Sequence, residues 1–217
     1  MKIQNTELIE KKQRQICRGA MKVFKTKGFH AASMREIAEA CQISLGSLYD
    51  YIEKKDDILF LVSQYGSNQI YTRLREQIDP HAEPYEQFIN VLKELFRISI
   101  DLKDEIMFMY AETRHLAKQH RKEILHQDKE FVGFLESLIT RCVDAGAFAC
   151  RNPAIYATII SFLGTIIPMR GWDLFPKHSE EEVIDELIRL IDAGLAPAPR
   201  PVTSSSSGSP STVSENP

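Results

Sequence analysis

The 217-residue sequence has few of the residues that interrupt helices or cross-link small folds. Glycine and proline occur only 10 times each and are sparse through the middle of the chain, and strand-like alternation of apolar and polar residues is absent. The four cysteines show no close pairing, which excludes a disulfide framework and favours free, buried thiols. Because 43% of the residues are apolar, we expect an all-α fold with a sizeable core.

Targeting and membrane-spanning patterns are also lacking. The N-terminal stretch MKIQNTELIEKK contains no apolar segment, so no signal peptide is predicted. The longest uncharged run, Pro153–Met169, contains Gly164 and Pro168 and falls short of the roughly 20 apolar residues that cross a bilayer. We therefore predict a cytoplasmic protein without a membrane partner.

The chain has no overall excess of positive charge, since its net charge is −3. The charge is nevertheless uneven: residues 1–60 carry 11 Lys and Arg against 8 Asp and Glu, a net +3, which leaves −6 for the remainder. The positive residues of the first predicted helix are Lys11, Lys12, Arg14, Arg18, Lys22, Lys25 and Lys27. They form either a solvated helix face or a face that contacts phosphates.

The segment SMREIAEACQISLGSLYDYIEKK, Ser33–Lys55, predicts two short helices joined by a tight turn. Ser33 and Glu36 have the spacing of a capping box at the first helix. Ser44 can cap the second helix, on which Leu48 faces the core. This arrangement is typical of a helix-turn-helix unit, although the same pattern also fits two ordinary helices of an all-α core.

The remaining face of the second helix carries small, polar and aromatic residues that suit a DNA major groove. Glycine within a helix costs about 1 kcal/mol relative to alanine, so Gly46 indicates that a phosphate or a base edge approaches closely. The candidate DNA contacts are Ser33, Arg35, Ser44, Leu45, Gly46, Ser47, Tyr49, Asp50, Tyr51 and Lys55.

One motif combination runs through this segment and the helices around it. It consists of Ser33, Ile37-Ala38, Ser44, Gly46-Ser47-Leu48-Tyr49, Tyr51, Lys55 and Ile58-Leu59, preceded by an apolar stripe that Gly28-Phe29 ends. Over about residues 8–60 this combination resembles the N-terminal signature of TetR-type repressors. The resemblance implies an N-terminal three-helix helix-turn-helix DNA-binding domain at residues 1–55 and a helical ligand-binding and dimerisation domain at 56–195. Residues 196–217, rich in Ser and Pro, predict a disordered tail.

The function implied by the resemblance is that of a homodimeric, ligand-responsive transcriptional repressor. Such a protein binds a palindromic operator in double-stranded DNA and is released by a small effector. Four residues depart from the family pattern. Gln42 stands where glycine is usual in the turn, Ile52 replaces Phe, Asp50 is acidic, and Leu45 is apolar at a usually polar position.

Bulky apolar and aromatic residues crowd the predicted middle helices. Core packing is the simpler interpretation, but methionine and aromatic side chains with a few polar groups can also line an apolar pocket. The candidate ligand contacts are Met107, Tyr110, Glu112, Arg114, Phe131, Phe134, Phe162 and Trp172. The pattern Tyr110-x-Glu112-Thr-Arg114-x-Leu116 is similar to TetR-type repressors that sense fatty acyl-type molecules. The resemblance thus implies a small hydrophobic effector and no cofactor.

Two other classes of function remain open from the sequence. Glu112-x-x-His115 and Glu123-x-x-His126 have the spacing of carboxylate-bridged di-metal sites. They would suit a metal-binding helical-bundle enzyme if a break near residues 118–120 turned the two pairs towards each other. Solvated charged faces are the favoured interpretation, so neither a metal site nor enzymatic activity is predicted. Loss of DNA binding would instead leave a dimeric interaction module.

Overall fold

The structure, a computed structural model, describes residues 2–113 and 116–195, with side chains from residue 8 onward. Every regular element in this part of the chain is a helix, which confirms the predicted all-α fold. The helices are α1 (Lys2–Ala31), α2 (Met34–Ala40), α3 (Leu45–Tyr49), α4 (Lys55–Glu76), α5 (Pro84–Asp101), α6 (Lys103–Glu112), α7 (Lys118–Asp144), α8 (Pro153–Leu163), α9 (Ile166–Leu174) and α10 (Glu180–Leu195). Arg114, His115 and the predicted tail at 196–217 lie outside the described residues.

Helices α1, α2 and α3 enclose a first hydrophobic core with the beginning of α4. The apolar stripe of α1 packs there against residues of the following helices, and the fully buried members are Ile16, Ala20, Ile37, Leu48, Ile58 and Leu59. The regular part of α1 stops at Gly28, whose φ of 78° lies in the left-handed region that glycine adopts without strain.

A second core is formed by α5, α7, α8 and α10, with the end of α4. The apolar stripe of α10 supplies Val183, Ile184, Leu187, Ile188 and Ile191. At its start Ser179 and Glu182 have the three-residue spacing that predicts a capping box, and the structure confirms it. The Ser179 N–H donates to Glu182 Oε2 at 2.9 Å, and the Glu182 N–H donates to Ser179 Oγ at 3.2 Å.

The apolar segment from Pro153 to Arg170 predicts one continuous helix, and this prediction is wrong. The chain forms α8 and α9 instead, bent by 47° at residues 164–165. Pro168 has no N–H with which to bond the carbonyl of Gly164, so the helix cannot continue through this point. Among the described residues, no single helix is long and apolar enough to cross a membrane. The bent pair α8–α9 reaches that length and composition only when both helices are counted together.

Helix α4 belongs to both cores. Its first turns bury Ile58, Leu59 and Val62 in the first core, and its last turns bury Leu74 in the second. Its 22 residues span about 33 Å. Arg73 attaches the far end to α5 through ion pairs of 2.7 Å with Glu94 and 2.7 Å with Asp101. The two cores are therefore joined by one continuous helix rather than by a linker.

Close packing of α1 on α2 requires a glycine at position 19. A Cβ atom there would lie 2.8 Å from the backbone nitrogen of Cys41 and 2.9 Å from its Cα, and neither atom can move without shifting the helix. We expect Gly19→Ala to lower the free energy of unfolding by about 1–3 kcal/mol, measured by urea denaturation.

Gly133→Ala on α7 is the matched control for this prediction. No atom lies within 4 Å of the Cβ position at Gly133, so alanine adds helix propensity without a clash. This variant is expected to gain up to about 1 kcal/mol. A Gly19→Ala protein as stable as the wild type would contradict the packing argument.

Candidate DNA interface and ligand cavity

The helix-turn-helix segment has the predicted caps. The Ser33 N–H donates to Glu36 Oε2 at 2.9 Å, and the Glu36 N–H donates to Ser33 Oγ at 3.3 Å. The hydrogen-bonded Lys27 ammonium, helped by the Ser33 N–H, lowers the pKa of Glu36 to about 2. At α3, Ser44 Oγ accepts from the Ser47 N–H at 3.0 Å. Both predicted capping serines therefore hold helix starts in place.

Gln42 occupies the turn with a φ of 56°, the left-handed conformation expected at this position. It is the only non-glycine residue with positive φ in the described part of the chain. Since residues with a Cβ adopt this region at some cost, tertiary contacts must hold the turn. One such contact is the amide of Gln15 on α1, which donates to the Cys41 carbonyl at 2.6 Å.

Helix α3 presents one buried side and one open side. Leu48 is fully buried in the first core, whereas Tyr49 is 50% exposed and Tyr51 and Asp50 are exposed beside it. A Cβ atom at Gly46 would meet only Ser44 Oγ, at 3.9 Å, so packing within the chain does not explain this glycine. The open side is thus a surface of small, polar and aromatic groups that another molecule can approach.

Two predicted DNA contacts have roles inside the domain. The Lys55 ammonium donates to the carbonyls of His30 at 2.8 Å and Ala32 at 2.9 Å, and lies 4.8 Å from the centre of the Phe29 ring. Lys55 therefore fixes the end of α1 to the start of α4. Leu45 is half-buried and packs against the first core. The sequence pattern did not indicate the contacts of Lys55, whereas packing was one of two interpretations open for Leu45.

Some of the basic residues of α1 form ion pairs within the chain, and others are exposed. Lys25 pairs with Glu105 at 3.0 Å and Asp104 at 3.2 Å on α6, and Lys27 pairs with Glu36. Arg18 and Lys22 are exposed. Only part of the predicted basic face is therefore available to phosphates, because Lys25 and Lys27 already hold carboxylates.

An apolar cavity of about 500 Å³ lies between α4, α5, α6, α7 and α8. Tyr110, Phe131 and Phe162, all predicted ligand contacts, line it. The structure adds Ile70, Tyr71, Ile98, Ile106, Met109, Ile124, Gln127 and Asp128 to this wall, among others. The residues from α4 and α5 were missed because nothing in their own sequence distinguishes a cavity wall from ordinary core. A smaller cavity of about 390 Å³ lies between α1 and α4 and is lined mainly by polar and charged residues.

The other described ligand candidates lie outside this cavity. The lining residues of α6 are Ile106, Met109 and Tyr110, which share one face of the helix. Met107 and Glu112 lie on other faces of the same helix. Phe134 lies one turn beyond Phe131 and packs against the second core. Trp172 is 70% exposed and its Nε1 donates to the Met169 carbonyl at 3.2 Å.

Helix α6 connects the cavity with the first core. One face lines the cavity with Met109 and Tyr110, while Phe108 stacks on Phe24 of α1 at 5.1 Å between ring centres. Met109 also reaches α4, since a Cβ at Gly66 would lie 3.0 Å from its sulfur. A shift of the α6 wall would therefore displace residues of both α1 and α4.

Of the two Glu-x-x-His pairs, the described residues Glu112, Glu123 and His126 fall on two different helices. Glu112 ends α6, and α7, which carries Glu123 and His126, begins at Lys118. Glu112 Oε2 lies 3.9 Å from His30 Nε2, and His126 lies 4.0 Å from Glu130. Over the described residues, His, Cys, Asp and Glu nowhere form a group of three that could hold a metal ion.

Two known protein families match this chain, one over each of its two hydrophobic cores. Residues 16–62 match the family of bacterial regulatory proteins of the tetR type, and residues 81–195 match the tetracycline repressor-like C-terminal domain. The chain belongs to the TetR family of transcriptional regulators. This membership confirms the resemblance drawn from the helix-turn-helix motif and makes the protein a DNA-binding regulator.

Individual TetR relatives are distant from this chain. The transcriptional regulator HbdR of Aromatoleum sp. (strain CIB) is 22% identical over 189 residues, which cover 87% of this chain and 82% of HbdR. A tetR-family regulatory protein from Rhodococcus RHA1 has the same fold, with a TM-score of 0.75 at 20% identity over 87% of this chain and 99% of that one. AibR, solved with isovaleryl coenzyme A and operator DNA, gives a TM-score of 0.69 at 21% identity over 82% and 97%.

The contrast between Tyr49 and Lys55 leads to a test of the DNA interface. We expect Tyr49→Ala to weaken binding to operator DNA by about tenfold or more without lowering the melting temperature, because its side chain is half exposed. Lys55→Ala should weaken binding and also cost about 1 kcal/mol of stability, because two carbonyls lose a charged donor. Fluorescence anisotropy and thermal melts measure the two effects.

Tyr85→Ala is the control, since Tyr85 is an exposed tyrosine on α5 in the second core's domain. The affinity of the Tyr85→Ala variant for DNA should equal that of the wild type.

Wild-type binding to DNA is also expected to fall steeply as salt concentration rises, because phosphate contacts release counterions. Undiminished binding by Tyr49→Ala would rule out α3 as the DNA-reading helix.

Proposed function

We propose that this TetR-family regulator is a homodimeric, cytoplasmic repressor that binds a near-palindromic operator and leaves it when a small hydrophobic effector fills the cavity between α4 and α8. The observation that carries this proposal is the continuity of α4. The same helix buries Ile58 beside the helix-turn-helix unit and lines the cavity with Tyr71. The DNA-binding and effector-binding surfaces thus share a rigid element.

The proposed DNA contacts are those of the open side of α3 and the start of α2. Tyr49, Tyr51 and Gly46 would face the major groove, and Arg35, exposed on α2, would reach a phosphate. The capping serines Ser33 and Ser44 stand at the beginnings of α2 and α3. The backbone N–H groups that the serines leave unbonded there favour a phosphate. In a dimer the two recognition helices would enter successive major grooves roughly 34–36 Å apart.

The proposed dimer uses the last helices. The described exposed faces of α8, α9 and α10 carry a group of large apolar side chains, comprising Ile155, Ile159, Phe162, Met169, Trp172 and Leu190. An isolated exposed leucine is unremarkable, but a set of this size on adjoining helices is typical of a protein-protein interface. A second copy of the chain is the partner that the family implies.

The proposed coupling is a population shift between two positions of α4. An effector that contacts Met109 and Tyr71 binds best where α6 and α4 leave room for it. Because α6 stacks on α1 through Phe108 and Phe24, the favoured position also sets the orientation of the DNA-binding domain. Effector binding would then change the distance between the two recognition helices of the dimer.

A fatty acyl-type chain is the effector class proposed from the residue pattern around Tyr110. The cavity is mainly apolar, and the related fold of AibR was solved with isovaleryl coenzyme A. Native mass spectrometry of protein purified from its own host tests this choice. A bound acyl species supports it, and a flat aromatic ligand contradicts it.

Selection of bound sequences from a random pool of duplex DNA is the decisive experiment for the repressor. We expect enrichment of a near-palindrome with half-sites one helical turn apart. A pool without any enriched sequence would favour the dimeric interaction module. Tyr49→Ala run beside the wild type controls for sequences retained by nonspecific attraction.

A charge introduced into the proposed dimer face should separate the subunits. Leu190, 63% exposed on α10, is the position to change, because Leu190→Glu places a carboxylate in an apolar interface. We expect monomers by light scattering and an operator affinity reduced by at least about tenfold, since both half-sites must be held together. Leu8→Glu, at an exposed leucine of α1, should stay dimeric. A dimeric Leu190→Glu protein would contradict this interface.

A further inference from the structure

The effector cavity has a polar region with unusual composition. Tyr71 on α4 and Gln127 and Asp128 on α7 all line it, next to Phe131. The Tyr71 ring lies 6.0 Å from the Phe131 ring, which places these groups at the same part of the wall. The rest of the lining is dominated by aliphatic and aromatic side chains with scattered hydroxyls.

Two of these polar atoms have no partner within the described protein. Tyr71 Oη and Gln127 Oε1 are both buried, and neither makes a hydrogen bond there. A buried polar atom left without a hydrogen bond costs roughly 1–3 kcal/mol. Because these two atoms stand in the cavity wall, a bound ligand can complete their hydrogen bonds. Gln127 Oε1 can only accept, so its missing partner is an N–H or O–H donor.

The charge in this region is of one sign. Asp128 is the one carboxylate in the described lining, which includes neither Lys nor Arg. Asp128 is exposed by surface area, but partial shielding from water by its neighbours raises the pKa of its carboxyl. Burial, followed by the field of Glu130, raises the pKa of Tyr71 to about 12. Arg75 lies 5.3 Å from the Tyr71 ring but is not part of the lining. An anionic head group placed here would meet a carboxylate without a facing cation.

We propose that the cavity selects amphiphiles whose head group is neutral or cationic and donates hydrogen bonds, and that it excludes free carboxylates. This selectivity rests on the proposed effector role of the cavity and narrows it. Gln127 and Asp128 accept hydrogen bonds from the head group, and Tyr71 lies beside it. A fatty acyl chain enters this cavity as an amide that carries an N–H group, not as the carboxylate.

Three probes with the same ten-carbon chain and different heads test the selectivity: decylamine, decan-1-ol and decanoate. Calorimetric titration of the full-length protein at neutral pH, without DNA, is the measurement. Decylamine and decanol should bind, and decanoate should bind at least about tenfold more weakly because it faces Asp128. Equal or tighter binding of decanoate, or no binding of any probe, would overturn the proposal.

Asp128→Asn keeps the shape of the side chain and removes its charge. The affinity of this variant for decylamine should fall by about tenfold. The difference in affinity between decylamine and decanoate should therefore become smaller than in the wild type. Glu123→Gln neutralises an exposed carboxylate of the same helix outside the cavity and should leave all three affinities unchanged. An unaltered preference for decylamine over decanoate in Asp128→Asn overturns the assignment to this residue. Since these titrations contain no DNA, their outcome is independent of whether the operator selection succeeds.

Discussion

The shared helix α4 is the constraint on which the other features depend. Its first turns are buried with α3, and its later turns form one wall of the apolar cavity before ending in the second core. A helix fixed at both ends moves as a unit, because bending it breaks backbone hydrogen bonds. Ion pairs from Arg73 to Glu94 and Asp101 add to this rigidity at the far end. Any difference in cavity shape is therefore passed to the start of α4, where Lys55 holds the end of α1.

Positive charge is concentrated in the DNA-binding end of the chain and negative charge in the distal domain. The first 60 residues carry a net +3 and the remainder −6, so the DNA-binding end attracts phosphate and the distal domain repels it. Part of the positive charge is used internally, where Lys25 holds α6 through Asp104 and Glu105. The same carboxylate-rich distal domain supplies Asp128 to the cavity. Electrostatics thus separates a surface for an anionic polymer from a pocket that disfavours anions.

Features that depend on neighbouring residues are predictable from the sequence. Both capping boxes and the apolar stripe of α10 follow from spacings of three or four residues. The left-handed turn at Gln42 and the end of regular α1 at Gly28 follow from the family resemblance. The single helix expected from Pro153 to Arg170 is wrong. Apolar content there outweighed Pro168 in the prediction, whereas the missing N–H decides the backbone.

Local periodicity and helix caps are enough to predict the helical class and the side of α3 that faces outward, and the motif combination between Ser33 and Leu59 is enough to indicate the family. Which aromatic residues meet in a cavity depends instead on how the helices pack. Tyr110, Phe131 and Phe162 line the same cavity whereas Trp172 lies outside it, although all four are aromatic. A cavity wall depends on how five helices pack, and no spacing within one helix encodes that. For the same reason, the buried polar atoms of Tyr71 and Gln127, which are 56 residues apart in the chain, can be recognised as one site only in the folded protein.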